Sequence, residues 1–164
     1  MTESIATVDR HKSTLQRLAE FGLTLPSAAV PVASYVPAVR AGNVIYTSGQ
    51  LPLDSGSLIH TGKVGSDVSV HDATVAARIC TLNALAAIGT LADLDSIVRV
   101  VKVVGFVASA PGFNQQPSVI NGASDLLVAT FGNAGKHARS AIGVAELPLN
   151  SPVEVEMIVE IRST

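Results

Sequence analysis

From Ile97 to Val107 the chain is an almost unbroken run of valine and other apolar residues, interrupted only by Arg99, Lys102 and Gly105. Side chains branched at Cβ are stiff and fit a pleated sheet better than a helix. A run with so little polar alternation reads as a central strand buried on both faces. Whatever else the chain does, it must build a sheet through this segment and cover both sides of it. Ala110-Pro111-Gly112 ends the run.

The elements on either side say what kind of sheet. Ser69 is placed to cap a helix, with Asp72 three residues on as a variant of the capping box. Val70, Ala73, Ala77, Cys80, Ala84 and Ile88 then recur at helical spacing, and Asp93–Ser96 marks the stop. The stripe is mostly small, so this helix can lie close to a sheet. A second long helix is predicted from about Pro117 to Phe131, with Gly132 as its cap. An amphipathic helix is predicted over residues 9–22, followed by a proline-punctuated linker from Leu23 to Pro31. Strands are predicted at Tyr35–Arg40 and Val44–Ser48, joined by Ala41-Gly42-Asn43. Asp54-Ser55-Gly56-Ser57 reads as a turn and Leu58–Gly65 as a loop. Two late strands lie in the stretch Ala138–Pro148 and at Val153–Ile161. The order is helix, ββ, α, β, α, ββ. It predicts an α+β fold, with two long helices packed on one face of a sheet and an extra N-terminal helix.

At 164 residues the chain suits a single domain with a sizeable core. It is 48% hydrophobic and only 15% charged, which points to surface hidden in an oligomer. A net charge of −2 without a basic cluster argues against nucleic acid as a partner. A lone cysteine, Cys80, suits a reducing cytosol, and no apolar run approaches the ~20 residues of a membrane span. The opening residues are polar and charged through Glu20, unlike a secretory signal. The expected location is cytoplasmic.

The chemistry concentrates late in the chain. Arg139 stands at the mouth of a strand, after the loop Gly135-Lys136-His137. It is either a surface arginine or a grip for a small carboxylate, to which its planar fork donates two parallel hydrogen bonds. Glu154, Glu156 and Glu160 share one face of the last strand, a solvated face unless one of them handles a water. In a simple hairpin Glu154 would lie about six residues from Arg139, roughly 20 Å. Either the two strands are not neighbours, or the residues meet across a subunit boundary. Thr47-Ser48-Gly49-Gln50 ends a strand with a hydroxyl and a glycine N–H that can serve a ligand carboxylate, or is an ordinary strand exit. His11, His60, His71 and His137 have no metal-ligand spacing, and there is no P-loop and no Gly-x-Ser-x-Gly. No metal or nucleotide cofactor is expected.

Ser34-Tyr35-Val36-Pro37 with Gly42–Pro52, and Ala138-Arg139-Ser140 through Pro148 with Val153-Glu154-Val155-Glu156, resemble the opening and closing signatures of the YjgF/RidA reactive intermediate deaminases. Asn121 falls where that family carries an asparagine. The resemblance covers residues 30–162, leaving 1–29 as an N-terminal extension. It implies a chorismate-mutase-like fold, a homotrimer with ligand clefts between subunits, and cofactor-free hydrolysis of enamine or imine acids to 2-keto acids and ammonia. Carried over, Arg139 holds the substrate carboxylate, Glu154 positions the water, and Tyr35, Ser48, Gly49 and Asn121 line the cleft. A non-catalytic binder of small carboxylates is the alternative, and an endoribonuclease a more distant one. Ala141 stands where the best-studied members have a cysteine, and His137 where they have a proline.

Overall fold

The computed structural model describes residues 12–28 and 34–163. The N-terminal end of the helix expected over 9–22, and most of the linker's last residues, lie outside them. The elements run α1 (Thr14–Glu20), β1 (Ala38–Ala41), β2 (Val44–Thr47), β3 (Leu53–Asp54), β4 (Ser57–Leu58), α2 (Val70–Gly89), β5 (Ile97–Ala108), α3 (Gln116–Phe131), β6 (Ala138–Val144) and β7 (Val153–Ile161). One mixed sheet holds β1-β2-β7-β5-β6 in that order. Only β5 and β6 run parallel, with α3 as their crossover; β7 is antiparallel to both β2 and β5. The fold is the expected α+β layer.

Helices α2 and α3 cover a single face of the sheet. Val100, Val103 and Val107 of β5 and Val153, Val155, Met157 and Val159 of β7 point into that layer and are fully or almost fully buried. Two close approaches seat the helices. A Cβ on Gly105 would fall 2.3 Å from Ile120 Cδ1, so glycine at that position makes room for the α3 side chain on β5. A Cβ on Gly122 would fall 2.1 Å from the Thr74 carbonyl oxygen, so glycine there lets α3 lie close to α2.

Among the described residues no second layer covers the other face. Val39, Tyr46, Val101 and Ile142 are exposed there, and Val104, Phe106 and Ile158 are half-buried. The expectation that β5 is buried on both faces is therefore met on one side only. An apolar sheet face of this kind is covered by another layer in stable folds.

Three details refine or correct the sequence expectation, the last settling a point it left open. Helix α2 ends at Gly89 rather than at 93–96, because Asp93 accepts the Asp95 N–H and starts a separate one-turn 3-10 helix. Residues 53–58 form a small hairpin whose tip, Ser55-Gly56, takes positive φ at both positions. And β6 and β7 are not neighbours, since β5 lies between them.

Helix α1 docks on the outer side of the helical layer. Ser13 caps it with a complete capping box to Gln16, and Leu18 is buried against Leu82 and Leu126. The Asp95 carboxylate accepts from Thr14 N at 2.6 Å and Thr14 Oγ1 at 2.7 Å. Burial works to raise the pKa of Asp95, but those bonds and the charges of Arg17 and Arg162 outweigh it and hold the carboxyl below its ordinary range.

Candidate functional site

The functional side chains form two clusters on opposite faces of the sheet. The first is built on the edge strand β6. Arg139 pairs with Val103 and shares its helix-facing side, so the guanidinium reaches α3, where Nη1 donates to Asn121 Oδ1 at 2.8 Å and to Ser124 Oγ at 3.1 Å. Asn121 and Ser124 are one turn apart and so share a face of the helix. With Nη1 engaged twice, the Nε–Nη2 edge is left to grip a carboxylate side-on.

Behind Ser124 stands His137. Its Nδ1 lies 2.6 Å from the Gly135 carbonyl and its Nε2 3.0 Å from Ser124 Oγ. A carbonyl only accepts, so Nδ1 carries the proton and Nε2 of the neutral ring accepts from the serine hydroxyl. Burial is the largest effect and lowers the His137 pKa; the Gly135 bond opposes it, and the nearby Arg139 charge adds to the lowering. Both lowering effects favour the neutral ring.

The second cluster lies at the start of β7, on the open face. Glu154 alternates with the buried Val153 and Val155 and so points away from the helices. Its carboxylate lies directly over Gly49: a Cβ there would fall 1.7 Å from Oε1. The backbone around Gly49 is pinned, since Gln50 and Val155 exchange both hydrogen bonds, at 2.8 and 3.0 Å. Ser48 is pinned too. Its N–H donates to the Pro37 carbonyl and its hydroxyl to the Val36 carbonyl at 2.6 Å, so the hydroxyl proton ties down the segment after Tyr35. Tyr35 itself is 55% exposed. Burial, then the charge of Glu156, raises the Glu154 pKa above its ordinary value.

Arg139 and Glu154 do not meet within one chain. Val103, the partner of Arg139, pairs on its other side with Met157, three residues from Glu154. Two strand spacings and three residues put the two backbones roughly 14 Å apart, and the side chains leave on opposite faces. Of the six residues singled out from sequence, Arg139 and Asn121 are brought together, as are Ser48, Gly49 and Glu154, with Tyr35 adjacent in the chain. Ser124 was missed, although its spacing from Asn121 on a predicted helix was a usable signal. Among the described residues no group of three or more His, Cys, Asp or Glu is placed to hold a metal ion. None of the described helices is long and apolar enough to cross a membrane.

A family model described as "YjgF/chorismate_mutase-like, putative endoribonuclease" matches residues 15–161. Protein TCP17 of Trypanosoma cruzi is 42% identical over 162 residues, which is 98% of this chain and 99% of that protein. The 2-iminobutanoate/2-iminopropanoate deaminase of Escherichia coli K12 is 33% identical over 132 residues, covering 80% of this chain and 91% of the relative. Among solved structures, the protein Atu1372 from Agrobacterium tumefaciens, of unknown function, superposes with a TM-score of 0.85 at 47% identity, over 93% of this chain and 96% of that one.

Proposed function

The chain belongs to the YjgF/chorismate-mutase-like family, and from that footing we propose that it hydrolyses reactive enamine and imine acids to 2-keto acids and ammonia without a cofactor. The observation that carries the reading is the presence, in one chain, of a guanidinium held from behind and of a carboxylate of raised pKa seated over a glycine. These are the two groups that hydrolysis of a small imino acid requires.

Because the clusters face apart in one chain, the site is completed by a second copy, with Arg139 from one subunit and Glu154 from its neighbour. The uncovered apolar sheet face supports such an assembly, which we take to be the homotrimer, with small carboxylates bound in the intersubunit clefts. The Nε–Nη2 edge of Arg139 holds the substrate carboxylate. An enamine first gains a proton at C3 to become the iminium. Water then adds to C2 as Glu154 takes a proton from it, giving a carbinolamine. Glu154 returns its proton to the nitrogen, the hydroxyl loses its proton to solvent as C=O forms, and the C–N bond breaks with its electron pair on nitrogen. Ammonia and the 2-keto acid are released, and the proton lost to solvent replaces the one gained at C3. For 2-aminoacrylate the balance is one water consumed, one pyruvate and one ammonia formed. Tyr35, Ser48 and Gly49 line the water side and Asn121 the carboxylate side.

The test is release of pyruvate and ammonia from 2-aminoacrylate generated in the assay. Glu154→Gln lowers kcat by about 10²-fold while 2-keto acid binding persists. Arg139→Lys keeps the charge but loses the fork and raises KM, and Arg139→Ala loses binding and turnover together. Wild-type turnover in Glu154→Gln, with binding lost in Arg139→Ala, would leave a carboxylate-binding cleft without a protein base. RNA cleavage that survives exhaustive purification would favour the ribonuclease instead.

A further inference from the structure

We infer that His137, acting through Ser124, is a positioning residue for Arg139. The inference rests on the reading of Arg139 as the carboxylate grip and goes beyond it, to the group that aims the grip. Three hydrogen bonds run in one direction. The Gly135 carbonyl fixes the proton on His137 Nδ1 at 2.6 Å, leaving Nε2 as an acceptor. The Ser124 hydroxyl, 3.0 Å away, must give its only proton to that nitrogen. Its lone pairs then face Arg139 Nη1, which donates to it at 3.1 Å.

Without His137 the Ser124 hydroxyl is free to rotate and to return its proton to the nearest helical carbonyl, as serines in helices do. A lone pair then need not face the guanidinium. Asn121 Oδ1 still accepts from Nη1, but one acceptor fixes a position and not a plane. Two acceptors on the same nitrogen hold the guanidinium in the plane that sends Nε and Nη2 toward a carboxylate. The backbone contributes directly, because the 3-10 turn Gly132–Gly135 delivers the carbonyl that sets the tautomer. Gly135 is required there, since a Cβ would fall 2.1 Å from the Leu127 carbonyl oxygen.

The chain acts on the ground-state grip and not on the water. His137→Ala and Ser124→Ala are therefore expected to raise KM, and the Kd for pyruvate, about tenfold, with kcat within about twofold of wild type. His137→Gln carries an amide oxygen to the place of Nε2, where it accepts from Ser124, and restores most of the affinity. The double variant His137→Ala/Ser124→Ala is no worse than either single one, because the two residues act as one device. Thermal unfolding of each variant shows whether the fold is retained. In parallel, nitrogen NMR of the imidazole reads the tautomer directly, with the proton expected on Nδ1 at pH 7.5.

The inference is overturned by a proton on Nε2, by additive losses in the double variant, or by losses in kcat with KM unchanged. If wild-type protein neither binds pyruvate nor turns over 2-aminoacrylate, the grip and this inference fall together. If the wild type does both and the His137 and Ser124 variants match it, only the inference falls.

Discussion

Replacing Gly49 by alanine separates the position of the Glu154 carboxylate from its presence. The added Cβ would fall 1.7 Å from Glu154 Oε1, 2.7 Å from Cδ and 3.0 Å from Cγ, where ordinary contact begins near 3.4 Å. The nearest oxygen must retreat by about 1.7 Å, the difference between 3.4 and 1.7. A glutamate can swing away at an off-rotamer cost of about 0.5–1.5 kcal/mol. Gly49 does not take positive φ, so alanine also gains about 0.4–1 kcal/mol by restricting the unfolded chain. The two nearly cancel, and Tm is expected to move by less than about 4 °C. The chemistry has no such tolerance, since a displacement of about 1 Å at a reacting group costs about 10²-fold. Gly49→Ala should thus lose at least that in kcat while remaining folded. Gly105→Ala is the contrasting control, because there the Cβ meets the branched Ile120 side chain at 2.3, 2.5 and 2.9 Å in the core. That variant should lose about 1–3 kcal/mol of stability. Monitoring pyruvate release alongside thermal unfolding distinguishes the two. Wild-type kcat in a folded Gly49→Ala protein would refute the idea that Glu154 acts from over Gly49.

A base must be deprotonated to work, so with the Glu154 pKa raised, the acid limb of kcat should lie higher than for an ordinary glutamate. Glu156→Gln removes the like charge and should shift that acid limb downward; an unmoved limb would exclude Glu154 as its source. Light scattering should give a particle of about 50 kDa, three chains of 16.8 kDa, and a monomer at micromolar concentration would remove the intersubunit site. The depressed Asp95 carboxyl contributes stability that is present above its unfolded pKa and lost as pH falls through the lower folded one. Acid should therefore loosen α1 first, and Asp95→Asn should increase hydrogen exchange at Thr14–Glu20 at neutral pH without touching β5.

The periodicity of the chain made much of this fold legible. The small-residue stripe of α2, the α3 span and the alternation of β7 all name a face, and faces are what side-chain spacing encodes. Spacing does not encode partners. Nothing in Val153–Ile161 says that it inserts between β2 and β5, so the relation of Arg139 to Glu154 stayed open until the strand order was known. The same limit concealed Ser124, which gains its meaning only when β6 brings Arg139 beneath α3. The valine run of β5 reads as buried on both sides, and among the described residues its second side is left partly exposed.

The insertion of β7 between β2 and β5 also sets an order of events during synthesis. The β1–β2 hairpin and the β5–α3–β6 unit emerge first, and neither can join the other. Each waits with an unpaired strand edge facing the place that residues 153–161 will fill. Chains emerge from the ribosome at about 5–20 residues per second, so both edges stay open for seconds on every nascent molecule. The sheet closes only when its central strand arrives last. A chain stalled before Val153 therefore presents two adhesive edges and no core seam, the state most prone to pair with its neighbours.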